Sequence, residues 1–435
     1  MKKLIYSERA NLFDPNIYIQ FLVEITGNPA VNELVEAVKV AFAANEATMS
    51  KVVLEADGTA FYEKMNVSGC RVLVTDKDWL TVSHENEKLP FQIWEGELVR
   101  VFVCTSDKDI RLLIMAHHLV GDGKSIAYFL EDIMRALSGE ELEYKEMRLI
   151  GDEAFPKEAK LPRYMKWYAN GFNRKWKRGG RSFSWKDYEK LHETYWQKHR
   201  SRIIYESFSS EEVVELKKCT KEMGVTLNSY IATAFLRADQ KNHCIGMAVD
   251  ARDDHNRAMS NQATGISTDY VYLEQRSFVD NARNVHRKIY AKLDCPMMRY
   301  FILQFITLFE ATLIDSILLY KYQLYENKTT RKIAKVMGYV GENTRDLGIT
   351  NLTRLDIPSI YGCYELKNVL FIPPVVSYAK HIIGAVTMED GMQISYHYMS
   401  SENDAEERSF FARAIGYMRD EKGRYDDGDK KSNYG

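Results

Sequence analysis

An α/β protein with mixed sheets, arranged as two lobes, is the fold class this sequence predicts. Strand-like and helix-like hydrophobic periods alternate in both halves, the pattern expected where helices cover the faces of sheets. A stretch of different texture separates the halves. At 435 residues, 45% of them hydrophobic, the chain can fill a large core or two lobes.

The elements follow in order. Apolar spacing from Ala30 to Asn45 predicts a helix, and "RVLVT" from Arg71 to Thr75 predicts a strand. A second strand runs from Leu98 to Thr105, and the polar turn Ser106 to Asp109 leads into a third from Ile110 to His117. These last two read as a hairpin. From Lys124 to Leu137 the apolar residues Ile126, Phe129, Leu130, Ile133, Met134 and Leu137 keep a helical rhythm, so the local order is strand, short loop, helix. Between Arg163 and Arg200 the chain is rich in aromatics and carries eleven Lys or Arg against three acids. This is the expected junction, dividing residues 1–175 from 176–435. Beyond it, Arg202 to Phe208 predicts a strand, and Ser209 with Glu212 makes a capping-box pattern that opens a helix. A helix from Val225 to Gln240 precedes strands from Cys244 to Arg252 and from Gly348 to Ile357. Apolar runs near Val369, Ile382 and Met392 add strand signal before a last helix from Ala405 to Met418.

From Tyr300 to Tyr320 the segment "YFILQFITLFEATLIDSILLY" nearly matches the length of a membrane span. Gln304, Glu310 and Asp315 interrupt it, and each central carboxylate would cost about 2.5–3.5 kcal/mol to insert. Ile302, Phe305, Ile306, Phe309, Leu313 and Ile317 instead recur on one face of a helix, so the expectation is a buried amphipathic helix and no membrane span.

With 59 basic and 61 acidic residues the formal charge is −2, so no global field recruits nucleic acid or an anionic membrane. The six cysteines are scattered, with no C-x-x-C pair for zinc or dithiol chemistry. The opening "MKKLIYSERANLF" lacks a signal-peptide core, so a cytoplasmic location is expected.

The most informative stretch is "AHHLVGDGKS", Ala116 to Ser125. A Walker A loop would need glycine where His118 stands, although Gly123, Lys124 and Ser125 match its second half. Adjacent side chains at a strand end point to opposite faces, so His117 and His118 do not share one ion, and no metal site is expected. A single histidine at a strand end, facing a cleft with one ring nitrogen free, is suited to act as a base near neutral pH.

The pattern His-His-x-x-x-Asp-Gly, formed by His117, His118, Asp122 and Gly123, resembles the signature of the chloramphenicol acetyltransferase-like superfamily, which includes condensation domains and alcohol acetyltransferases. Softer likenesses are "PFQIWEGELVRVFV" from Pro90, "VTLNSYIATAF" from Val225, "MAVDAR" from Met247 to Arg252 and "TNLTRLDIP" from Thr350. The Asp-Phe-Gly-Trp-Gly segment of the plant branch is absent, and Thr353 stands where many relatives have glycine.

The resemblance implies a two-lobed fold with an active-site channel between the lobes. It implies an acyltransferase that moves an acyl group from a thioester donor, acyl-CoA or an acyl-phosphopantetheine on a carrier protein, to a hydroxyl or amine. His118 would be the general base, with no permanently bound cofactor. Asp122, paired with Arg252, would hold the loop in shape; His117 and Gly123 would support it. Asn351 would contact substrate. The cations Arg174 and Lys175 in the basic junction would meet a phosphorylated or acidic donor. The absence of a Gly-x-Ser-x-Gly elbow agrees with direct transfer rather than a serine relay. Two other readings keep the fold: a carrier-dependent condensation protein forming amides or esters, and a binding protein without turnover.

Overall fold

The computed structural model describes residues 2–105, 110–151, 155–239, 243–252, 256–340, 347–377, 379, 381–400 and 404–432. Two six-stranded mixed sheets organise them. In the first, the strand order is Ile360–Tyr361, Tyr364–Ile372, Tyr18–Thr26, Ile110–His117, Val99–Cys104 and Arg71–Thr75. Neighbours are antiparallel except the last pair, which is parallel. In the second sheet the order is Ala263–Tyr270, His243–Asp250, Leu347–Arg354, His381–Thr387, Gly391–Met399 and Ser201–Ser209. Here Leu347–Arg354 runs parallel to both neighbours.

The predicted hairpin forms: Val99–Cys104 pairs antiparallel with Ile110–His117, and its turn, 106–109, lies outside the described residues. Leu112 to Ala116 are all fully buried, which explains why that strand reads as a continuous apolar run rather than an alternating one. Helices Val31–Ala44 and Gly123–Leu137 pack on each other, with Phe42 and Phe129 stacked at 5.5 Å. The capping box at Ser209 is present: Glu212 N donates to Ser209 Oγ at 3.3 Å, and Ser209 N donates to Glu212 Oε2 at 3.0 Å. The last helix is longer than expected, Asp404–Ser432.

The first sheet draws strands from both halves of the chain. Tyr364–Ile372 crosses back from the far half of the chain and lies beside Tyr18–Thr26 in the first sheet. The same strand carries the seam between the sheets, where Ser395 Oγ donates to the Phe371 carbonyl at 2.6 Å. A side chain at Gly384 would strike Pro373, Ser395 and the Phe371 carbonyl, so the sheets can approach this closely only at a glycine. Long-range pairing of this kind leaves no periodic trace in a single sequence.

The segment from Tyr300 to Tyr320 is not one helix. It forms Phe301–Thr307 and Ala311–Lys321, bent by 103° at the break, and no single helix among the described residues is long and apolar enough to cross a membrane. No glycine or proline marks the bend. Its cause lies elsewhere, in Asn173 of the junction helix Arg163–Gly179. Asn173 Nδ2 donates to the Leu308 carbonyl at 2.9 Å, and its Oδ1 accepts from Glu310 N at 3.0 Å. One amide side chain thus takes over a carbonyl and an N–H that an unbroken helix would pair internally. Truncation by Asn173→Ala leaves both without a partner and is expected to cost about 1–3 kcal/mol in chemical denaturation, with Asn173→Asp, which keeps only the acceptor, falling between.

Candidate active site

The central strand of the first sheet ends at the two histidines. His117 N donates to the Leu98 carbonyl and His118 N to the Ile17 carbonyl, both at 2.8 Å, so the chain is pinned to a neighbour on each side as it leaves the sheet. The pleat then sends the rings opposite ways. His117 is buried; its Nδ1 accepts from Leu119 N at 3.2 Å and its ring meets Phe91 edge-on at 5.8 Å. Burial first, then the nearby His118, His192 and Arg100, pushes its pKa down to about 3. The neutral ring packs against Phe91.

His118 faces the other way, onto a cavity of about 390 Å³ bounded by both sheets. Its pKa is lowered by burial, while the Asp122 carboxylate and its own backbone pull the other way. Nδ1 is buried with no partner among the described residues. Burial therefore favours the neutral form of the ring.

Asp122 caps the helix Gly123–Leu137, its Oδ1 accepting from Ser125 N at 2.9 Å. The carboxylate also reaches the second lobe. Arg252 Nη2 donates to Asp122 Oδ1 at 3.0 Å, and Gln262 N donates to Asp122 Oδ2 at 2.8 Å. Ser125 Oγ donates to the Ser260 carbonyl at 2.7 Å and accepts from Arg252 Nη2 at 2.7 Å. Arg252 Nη1 is held by the carbonyls of Asn256 and Ala258. The pair is almost dry, with side-chain exposures of 3% and 7%. It latches the histidine loop to the ends of two strands in the other sheet.

Gly123 has a steric reason: a Cβ there would come within 2.7 Å of Leu352 and 3.2 Å of Phe371, both on the cavity wall. Asn351 also lines the cavity, but its Oδ1 is engaged, accepting from Thr353 N at 2.7 Å. That turn lies at a register shift in the strand, and Thr353 sits at φ +61°, a left-handed backbone that a β-branched residue adopts only with strain. A glycine would adopt this backbone without strain. Arg174 and Lys175 are solvent-exposed on the junction helix and stand outside the cavity lining, so the structure does not bring them to His118.

Sequence reasoning missed much of the wall. Lys124, set aside with the failed phosphate loop, lines the cavity and pairs with Asp250 at 2.8 Å. Ile302, Phe305 and Ile306, expected on the buried face of a core helix, line it too. Their half-buried state was not legible, because an apolar side chain facing a cavity and one facing a core share the same periodicity. Among the described residues no group of three or more His, Cys, Asp or Glu could hold a metal ion.

Two outcomes test this geometry. Asp122→Asn leaves the Arg252 charge uncompensated and is expected to lower unfolding free energy by about 3 kcal/mol, the low end for a buried pair, because Arg252 keeps three carbonyl acceptors. Thr353→Gly relieves roughly 1–3 kcal/mol of strain against about 0.5–1 kcal/mol of added chain entropy, a net gain near 1 kcal/mol readable as a raised denaturation midpoint.

No family model matches the sequence, and no curated protein does. Solved structures do resemble it. The trichothecene 15-O-acetyltransferase TRI3 from Fusarium sporotrichioides superposes with TM-score 0.65 at 12% identity, covering 96% of this chain and 94% of its own. Polyketide synthase associated protein 5 from Mycobacterium tuberculosis gives 0.61 at 12% identity, covering 96% and 98%. The condensation domain of the monacolin K polyketide synthase MokA gives 0.60 at 11% identity, covering 96% of each. Along nearly its whole length, this chain shares the two-lobed fold of these condensation-domain and acetyltransferase structures.

Proposed function

We propose that this protein is an acyltransferase that moves an acyl group from a thioester, carried on coenzyme A or on a carrier-protein phosphopantetheine, to a hydroxyl or amine acceptor. One observation carries the reading: the His118 side chain lies on the wall of a cavity that both sheets bound, held there by a loop that the second lobe clamps. Two substrates entering such a cavity meet at one base, and proximity supplies much of the rate.

In this mechanism a ring nitrogen of neutral His118 takes the proton of the acceptor O–H or N–H as the oxygen or nitrogen bonds to the thioester carbonyl carbon. The tetrahedral adduct collapses with cleavage of the C–S bond, and the proton passes from the imidazolium to the departing thiolate. The products are an ester or amide and a free thiol, and no acyl-enzyme forms. Asp122 is a positioning residue here, because its carboxylate is committed to Arg252, Ser125 and Gln262.

A thiol-release assay with acyl-CoAs over an alcohol and amine panel tests the reading. His118→Ala is expected to lower kcat/KM by about 10²–10⁴-fold with little change in melting temperature. The proton balance sets the pH profile. A pKa lowered from 6.5 in the folded protein means that the unfolded chain binds the proton more readily, so the His118 contribution to stability is complete above 6.5 and is lost as pH falls. The same shift places the acid limb of kcat/KM below pH 6.5. A midpoint above 6.5, or release that persists in H118A, removes His118 as the base.

A further inference from the structure

Resting on the acyl-transfer reading, we infer that the cavity beyond His118 is an arm for an extended alkyl chain, with Gly265 as the residue that holds it open. The second sheet presents two unlike faces. Ile245, Met247, Ile266, Leu347 and Ile349 are buried in a hydrophobic cluster on one side. Gly246, Ala248, Gly265, Gly348 and Thr350 alternate with them along the strands and line the cavity on the other. Along these strands the floor is formed largely by glycine and alanine, and Ile382, whose Cδ1 would lie 2.5 Å from a Cβ at Gly348, adds an apolar side chain at its far row.

Its roof is apolar. Ile302, Phe305 and Ile306 come from one arm of the bent helix pair, and Ile314 and Ile317 from the other. Ile302, Phe305 and Ile306 are only half-buried, although they belong to the most hydrophobic segment of the chain. Apolar surface left open toward an interior cavity is surface that a hydrocarbon can cover.

The charged pair of Lys124 and Asp250 stands at the end of the floor near His118. Ala263 pairs with Asp250, the partner of Lys124, in the row nearest the His118 loop latch. Gly265 is two residues farther along the strand, about 7 Å by strand rise, and the row of Gly246 and Gly348 is about 7 Å beyond that. Asp14, deeper in the wall, is already engaged by Ser377 N and Oγ. Gly265 lies beneath the roof: a Cβ there would already be in van der Waals contact with Ile302 Cδ1 at 3.4 Å, so a longer side chain would fill the space beside it. Its φ lies outside the left-handed region, so the backbone accepts a side chain while the space does not accept a large one.

The alkyl chain could arrive on the acyl donor or on the acceptor, and the test separates these. Straight-chain acyl-CoAs from C2 to C12 are assayed with one short alcohol, and straight-chain alcohols from C2 to C12 with acetyl-CoA. In parallel, calorimetry follows the binding of C4 to C12 alkanoates to the wild type, to Gly265→Leu and to Ile302→Trp. In one series kcat/KM is expected to rise about three- to fourfold per methylene before a plateau. Alkanoate affinity should climb alongside it. G265L is expected to reduce the ratio of long-chain to short-chain kcat/KM by about thirtyfold or more, and I302W should do the same from the opposite wall if G265L does not fold. A flat response to chain length in both turnover series and in binding overturns the arm while leaving acyl transfer standing. Chain-dependent alkanoate binding that G265L abolishes, without thiol release from any donor, keeps the arm and overturns the acyl-transfer reading.

Discussion

The ion pair between Asp122 and Arg252 is the contact on which the arrangement of this molecule depends. One carboxylate closes the first turn of a helix in the first lobe and receives a guanidinium and a main-chain N–H from the second. Burying two charges is costly, and in this nearly dry position the cost is offset in part because both terminal nitrogens of Arg252 also reach carbonyls, while Nε has no partner among the described residues. A pair bonded at both carboxylate oxygens and both terminal guanidinium nitrogens favours one geometry. It therefore sets where the loop between the strand and the helix lies, and with it the direction in which His118 points.

The two histidines show how one structural rule separates two chemical characters. They are adjacent in the chain and bonded through their backbones to opposite neighbours, so the pleat places one ring in the core and the other on the cavity. His117 loses its basicity chiefly to burial. For His118 burial acts alone in lowering the pKa, and the Asp122 carboxylate moderates it. The latch thus adjusts the electrostatics of the ring as well as its position.

The most hydrophobic segment of the chain has a different function from the one its length suggests. A bend of 103°, held by the Asn173 side chain, folds it into two short helices that roof the cavity. Within it, Asp315 accepts from Arg9 Nε at 2.7 Å in a buried pair, which ties the roof to the start of the chain. The carboxylates that argue against a membrane span in the sequence turn out to anchor the segment: Asp315 to Arg9, and Glu310 to Lys177 at 3.0 Å.

What the sequence by itself determined is local. The strand Ile110–His117, the helix after it, the capping box at Ser209 and the motif His117, His118, Asp122, Gly123 are all set by contacts within a few residues, and a single chain displays such patterns directly. The pairing of Asp122 with Arg252 was also accessible, because both ends belong to motifs whose likeness to a known fold could be read. Only the tertiary structure decided the rest. The return of Tyr364–Ile372 to the first sheet, the break imposed on residues 301–321 by Asn173, and the absence of Arg174 and Lys175 from the cavity lining all arise between segments far apart in the chain. Periodicity records which residues avoid water. It does not record whether they avoid it against a core, against another sheet, or around a space kept for something else.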